Sequence, residues 1–332
     1  MSSRLLHVAN GTSTTRTIEA AGIPGVTSIW ADPLHDGPVP GGLDDDALAA
    51  VRAEYHAPSP NAADPANDMR RWRQVIVEHD AYDELILWFE HDLFDQLNLI
   101  QLLPFIRAHV PASKTVSLIC IGSFPGRPNF HGLGELEPAE LASLLPTRQP
   151  VTAAQYALAE QAWRTFRDSS PEALDALVRG SRDVDGAKDP HLRTSALPFL
   201  ARALRRFLEE YPWTRDGLSR TERRLLTLAA EGRAEWPQSF PRMHEGEDAY
   251  YISDTAYAEL AEALSASAPP LLTRSIQSPA LTAEGREVLE GRADRVALCG
   301  IDRWLGGVHL TGFDPQWRWD GAAQRVAASR AG

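Results

Sequence analysis

The sequence predicts an α/β protein: a mostly parallel open sheet with flanking helices, then a helical region and a winged-helix-like C-terminal module. Three observations carry this. Apolar runs of strand length recur early in the chain, at residues 5–9, 26–30, 85–89 and 115–121. Segments of helical spacing separate them, which implies parallel strands covered on both faces. Each run ends in polar or glycine-rich chain, the pattern expected where such strands reach a ligand crevice.

Taken in order, the first strand stops at Asn10-Gly11, and Thr12 or Ser13 can cap a helix that runs to Ala20 before Gly22. The second strand runs into Asp32-Pro33-Leu34-His35-Asp36-Gly37-Pro38, a loop by its turn residues. Residues 44–67 are polar with helical pieces, and a helix resumes over 69–79. The third strand ends in Glu90-His91-Asp92. The helix after it sets Leu93, Leu97, Ile100 and Phe105 near one face until Pro104 weakens it. The fourth strand ends in Gly122-Ser123-Phe124-Pro125-Gly126. Residues 152–178 are helical, with Tyr156, Trp163 and Phe166 as core, and 181–188 form a polar connector. An amphipathic helix over 196–211 points Leu197, Leu200, Leu204 and Leu208 inward. The expected division is an α/β domain over 1–150, a helical linker over 151–190, the module over 191–321 and a disordered tail over 322–332.

The bulk numbers bound the function. The chain has 332 residues and a formal net charge of −12, which disfavours broad binding to nucleic acid or anionic membranes. Cys120 and Cys299 are its two cysteines, too few for a disulfide framework or a cysteine-rich zinc site. No apolar segment reaches the length of a membrane span or a signal-peptide core, and the expected location is cytoplasmic.

The densest chemistry lies at Glu90, His91 and Asp92, with Asp95 one turn on; Asp32, His35 and Asp36 approach from the preceding strand's loop. Carboxylate and imidazole together suit acid–base work on a phosphate or glycosyl bond, or a divalent cation. This suggests a hydrolase or a phosphoryl or glycosyl transferase with Asp32, His35, Glu90, His91 and Asp92 as catalytic groups. Asn10, Ser13, Asp36 and Asp95 would hold a polar or phosphate-bearing small molecule. No recognised metal-ligand spacing is present, and Asp92 and Asp95 also fit the plain role of capping a helix. Asn10-Gly11-Thr12-Ser13 and the loop from Gly122 to Arg127 can each cradle an anion or be an ordinary cap and turn. No G-x-S-x-G elbow supports Ser13 or Ser123 as a nucleophile. Cys120 reads as a core thiol.

In the second half, Ser219 and Glu222 form a capping box. The helix it opens resembles the first helix of a helix-turn-helix, as in sigma-factor DNA-reading modules, but Trp236-Pro237-Gln238-Ser239-Phe240-Pro241 stands where a recognition helix should start. Leu271-Leu272-Thr273 and residues 281–289 suggest a strand, a capped helix and a wing. Residues 191–233 hold nine Arg against five Asp or Glu, so a nucleic-acid partner is one reading. A solvated helix face at Arg202, Arg205 and Arg206, balanced by Glu209 and Glu210, is the other. Residues 302–310 and 317–320 look like a terminal hairpin. Its Arg303 or His309 can complete a site at the acidic rim, or its tryptophans can simply staple the C-terminus.

Leu6-His7-Val8-Ala9-Asn10-Gly11, Leu34-His35-Asp36-Gly37-Pro38-Val39-Pro40 and the run from Trp88 to Leu97 together resemble a bacterial family catalogued as a domain of unknown function. The similarity continues through Leu218-Ser219-Arg220-Thr221-Glu222-Arg223 and Arg303-Trp304-Leu305-Gly306-Gly307, covering nearly the whole chain. The resemblance implies an architecture and a site, not a reaction. The reading is therefore an enzyme or small-ligand site at the sheet rim, with a ligand-sensing transcriptional regulator as the alternative.

Overall fold

The computed structural model describes residues 4–56, 65–185, 196–275 and 277–329. The first strand, β1 (Leu5–Ala9), leads through α1 (Thr12–Ala20) to β2 (Val26–Ile29). A two-residue strand, β3 (Gly37–Pro38), and two helices, α2 (Asp45–Tyr55) and α3 (Pro65–Val77), precede β4 (Glu84–Glu90). Helix α4 (Leu93–His109) and β5 (Thr115–Ile121) follow, then α5 (Pro138–Ala142) and β6 (Gln149–Pro150). The main sheet has the order β2-β1-β4-β5-β6, parallel except for the antiparallel edge strand β6. The expected mixed α/β class and mostly parallel sheet are what the chain adopts.

Side-chain alternation explains why β4 sits at the centre. Leu85, Leu87 and Phe89 enter the core on one face, and Ile86 and Trp88 enter the core on the other. On β1, Leu6 and Val8 join the first core, and Leu5 and Ala9 the second. His7, fully buried between them, accepts from Trp88 Nε1 at Nδ1 (3.1 Å) and faces the Pro24 carbonyl with Nε2 (3.2 Å). That pair of partners fixes a neutral ring protonated on Nε2. Helix α4 continues past Pro104 to His109, because apolar residues on nearly every side are held in the core. The cap expected from Thr12 or Ser13 is not made. Gly11 occupies the cap position, and Ser13 Oγ instead donates to the Gly134 carbonyl at 3.3 Å.

Helices α6 (Ala153–Phe166), α7 (Glu172–Asp185) and α8 (Leu200–Leu208) cover the first core. The connector expected over 181–188 falls partly in α7, and its last three residues lie outside the described ones. Helices α9 (Arg220–Ala230), α10 (Ser239–Met243), α11 (Asp254–Ala266), α12 (Ala283–Leu289) and α13 (Arg295–Cys299) then form a lobe around Leu225, Leu228, Tyr257, Leu264 and Val288. Among the described residues, the lobe's β structure is an isolated bridge between Leu272 and Leu281.

The chain returns to the main body through β7 (Ile301–Gly306) and β8 (Val308–Gly312), a hairpin, and through a second antiparallel pair, β9 (Trp317–Asp320) and β10 (Arg325–Ala328). Leu305, Val308, Leu310, Trp319 and Val326 all enter the main core. Strand β10 lies where a disordered tail was expected. Asp175 accepts from its Val326 N–H at 3.2 Å, and Val326 is buried, which ties the segment down. No helix among the described residues is long and apolar enough to cross a membrane.

One pairing decides the geometry of the rim. Strand β3 runs parallel to β7, with Gly37 opposite Leu305 and Pro38 opposite Gly306, and Val39 N–H donates to the Gly306 carbonyl at 2.9 Å. Gly306 takes a left-handed φ of 61° to turn the hairpin, where any side chain would run into Phe166. The loop leading to β3 is held by Arg52, a fully buried guanidinium on α2. It donates to both Asp32 oxygens, to the Asp36 carbonyl (2.6 Å) and to the Pro33 carbonyl (3.0 Å). Asn98 of α4 closes the other side, accepting from Asp32 N–H and donating to the Asp32 carbonyl, both at 2.9 Å. Arg52→Met should cost about 3–5 kcal/mol in urea unfolding, since it strands Asp32 as a buried, unpaired charge. The double variant Arg52→Met, Asp32→Asn should recover most of that loss; equal losses in both would refute the assignment.

Candidate functional site

The sheet reverses its winding between β1 and β4. From β1 the chain moves outward to β2, then crosses back to lay β4 on the opposite side of β1. Open α/β sheets bind ligands beyond the carboxyl ends of the strands at such a reversal. The residues delivered there are Asn10 after β1, and Glu90, Asp92 and Asp95 at the join of β4 and α4.

Glu90, Asp92 and Asp95 place carboxylate oxygens within 4.8 Å of one another, and all three side chains are buried. Their remaining bonds are local. Asp92 caps α4 by accepting from Asp95 N–H at 2.8 Å, and Asp95 Oδ2 accepts from Glu90 N–H at 2.6 Å. Glu90 accepts from Leu133 N–H in the loop that folds over it. Gly132 permits this approach, because a Cβ there would overlap the Glu90 carboxylate. Burial, then mutual repulsion, pushes the Glu90 and Asp95 carboxyls well above the usual range, and burial lifts Asp92 to about 7. Asn10 stands close enough to favour the charged form of Asp95, yet Asp95 Oδ1 has no donor at hydrogen-bonding geometry.

Asp92 also faces a cavity of about 700 Å³ between the sheet rim and the helical lobe. The rim contributes His35, Asp36 and Phe94; the turn after α8 carries Glu210; the lobe adds Tyr250 and Glu222; β7 adds Asp302 and Arg303. His35 packs edge-on against Tyr250, with ring centroids 5.2 Å apart, and Arg206 lies over the Tyr250 ring at 5.1 Å. Burial, though partly opposed by Glu210, Asp36 and Asp32, drops the His35 imidazole to about 4, and its Nδ1 is sealed and without a partner. Glu210 behaves oppositely. Burial works against its charge, but Arg206 (2.6 Å) and Arg303 (3.2 Å) outweigh it and hold the carboxyl down at about 2. The lobe is fixed to this rim by a backbone bond from Leu93 N–H to the Ala249 carbonyl (2.6 Å).

The residues expected at the site therefore separate into groups. His35, Asp36 and Asp92 line the cavity; Glu90 and Asp95 sit buried beside Asp92, with half-buried Asn10 next to Asp95. His91 stands to one side among Phe130, Phe199 and Tyr251, with centroids 6.0–6.2 Å away. Ser13 turns to Gly134, and Asp32 is taken up by Arg52, so that carboxylate holds the loop rather than a ligand. Arg127 pairs with Glu140 at 2.6 Å, which makes the loop after β5 an ordinary turn. Cys120 is turned toward the Glu90 carbonyl, and burial pushes its thiol far up. His309 pairs with Asp302, while Arg303 is the hairpin residue that reaches the rim. Glu210 and Tyr250 escaped the sequence reading. The four-residue step from Arg206 to Glu210 is a signal for Glu210 alone, and on an amphipathic helix it also describes a solvated pair.

Compared with known proteins, the chain matches no family model and no curated sequence.

The His35 ring has a pH signature. Its folded value of about 4 lies below the ordinary 6.5, so stability is fully present above 6.5 and is lost as pH falls through about 4. The neighbouring carboxylates pull the opposite way, so the effect must be read as a difference. Between pH 7 and pH 4, wild type should lose up to about 3 kcal/mol more unfolding free energy than His35→Asn. Matching losses by urea titration would show that the ring is not held neutral.

Proposed function

We propose that the protein is an enzyme of small polar metabolites, a hydrolase or group transferase, whose substrate occupies the cavity between sheet rim and helical lobe. The observation that carries this is the position of the cavity. It lies at the winding reversal of a mostly parallel sheet and gathers ionisable groups from the loop after β2, the start of α4, the chain after α8, the lobe and β7. Asp92 is the member of the carboxylate trio that lines the cavity, and in this reading it is the carboxylate that meets the substrate. Neutral His35 offers a ring nitrogen to the substrate, and Tyr250 and Arg303 orient it. Carboxylates outnumber arginines on the walls, with Asp36, Asp92, Glu210, Glu222, Glu259 and Asp302 against Arg295 and Arg303. Such a lining favours substrates that present hydroxyl or amine donors. Family membership is part of the proposal: four of the stretches that carry the resemblance, at Leu34 to Pro40, Trp88 to Leu97, Leu218 to Arg223 and Arg303 to Gly307, line this cavity. A cytoplasmic location belongs to the same reading.

The regulator alternative, with a winged-helix-like module binding DNA, has less behind it. Arg220 is paired with Glu209 (2.6 Å), Arg223 with Asp216 (2.5 Å) and Arg224 with Glu245 (3.2 Å), while Arg206 is buried between Glu210 and Glu247. The positive charge counted along residues 191–233 is thus largely consumed inside the lobe and at its seam.

A thermal-shift screen against sugars, nucleosides, amines and their phosphates tests the proposal. A binder should stabilise wild type and lose roughly tenfold or more in affinity on Tyr250→Phe or Asp36→Asn, about 1.4 kcal/mol, with the far-ultraviolet circular dichroism unchanged. Binding that is indifferent to both substitutions would place the site elsewhere.

A further inference from the structure

We propose that Glu90, Asp92 and Asp95 bind a hard divalent cation of the magnesium, manganese or calcium class. Three observations support a bound ion rather than a merely acidic corner. First, oxygens within 4.8 Å of one another match the ligand–ligand separations around an ion with metal–oxygen bonds of about 2.0–2.6 Å. Second, Asp95 Oδ1 is sealed from water and meets no donor at hydrogen-bonding geometry, although Asp95 is fully buried and Asn10 stands nearby, and a buried carboxyl oxygen left so is costly. Third, other buried carboxylates of this fold each have a guanidinium: Asp32 has Arg52, Asp175 has Arg179, Glu210 has Arg206 and Asp216 has Arg223. Among the described residues, no Lys or Arg forms an ion pair with any member of this trio.

All-oxygen ligation selects hard cations over zinc or copper. Asp92 belongs both to the trio and to the cavity wall, so ligand positions not filled by protein face the cavity. A cation there would offset two of the three carboxylate charges and offer an open coordination position to a phosphate or carboxylate group that the walls otherwise repel. The site does not rest on the substrate reading, because it is defined by protein oxygens alone.

The experiment uses the full chain, stripped with a chelator at pH 8, titrated separately with Mg²⁺, Mn²⁺ and Ca²⁺ in the absence of any metabolite. The expected result is a saturable rise in Tm of about 3–5 °C at a hundredfold excess over Kd, with one Mn²⁺ per chain by electron paramagnetic resonance. Asp95→Asn keeps the carbonyl that accepts from Glu90 N–H. It should abolish the rise while leaving the metal-free Tm equal to or above wild type, since one of three repelling carboxylates is gone. Glu90→Gln, which still accepts from Leu133 N–H, should behave alike and decides the matter if Asp95→Asn does not fold. No shift with any of the three ions at millimolar concentration, or an undiminished shift in the variants, overturns the proposal. Stabilisation of the stripped protein by a metabolite would report on the cavity alone, keeping the two readings apart.

Discussion

The buried guanidinium of Arg52 is the constraint from which the site geometry follows. Its donors fix Asp32, Pro33 and Asp36, and so determine the course of the loop that becomes β3. Because β3 is in place, β7 has an edge to pair with, and pairing sets Arg303 at the rim beside Glu210. Glu210 in turn joins Arg303 to Arg206 and, through Thr221, to the first turn of α9. One side chain on α2 thus transmits order through a strand pair and an ion-pair network to the opposite wall of the cavity. A buried pair of this kind adds little net stability over an apolar substitute, but it permits few alternative arrangements of the groups it contacts.

The central strand explains the concentration of carboxylates at its end. With both faces of β4 committed to apolar cores, polar chemistry has no place along its length and appears where the strand leaves the sheet. The helix that starts there is itself buried on nearly every side, so Asp92 and Asp95 must cap and flank its first turn in an apolar setting. Local backbone donors account for one oxygen of each. It does not account for Asp95 Oδ1, nor for the placement of Glu90 beside them.

Much of the sheet was legible in the sequence because its strands are short apolar runs bounded by turn residues. Residues 5–9 and 115–121 were read to the residue, and the Ser219–Glu222 capping box is present as its spacing indicated. Long-range pairing was not legible. Nothing in Gly37-Pro38 announces a strand, since its partner lies more than 260 residues away and pairing, not propensity, makes it one. Nor did periodicity reveal Arg52 or Glu210 as buried, because a charged residue on a helix reads as solvated until its partner is known. The tail erred the same way: Arg325 to Ala328 has no strong pattern, and β9 together with Asp175 supplies what orders it. Of the candidate residues, those beside strand ends could be named from sequence. Which of them share a wall depended on the crossovers.

The helical lobe leaves and rejoins the body at nearly the same point. Arg295 N–H donates to the Asp216 carbonyl at 2.8 Å, just before α9 begins and just as α13 starts. Topologically the lobe is therefore an insertion, a detour of the backbone whose entry and exit are stitched together. The sheet, its covering helices and the terminal strands form a closed circuit without it, whereas the cavity has no far wall unless it is present. Architecture and binding are thus inherited from different portions of the polypeptide, and lengthening or trimming the detour reshapes the chamber while the scaffold keeps its strand order.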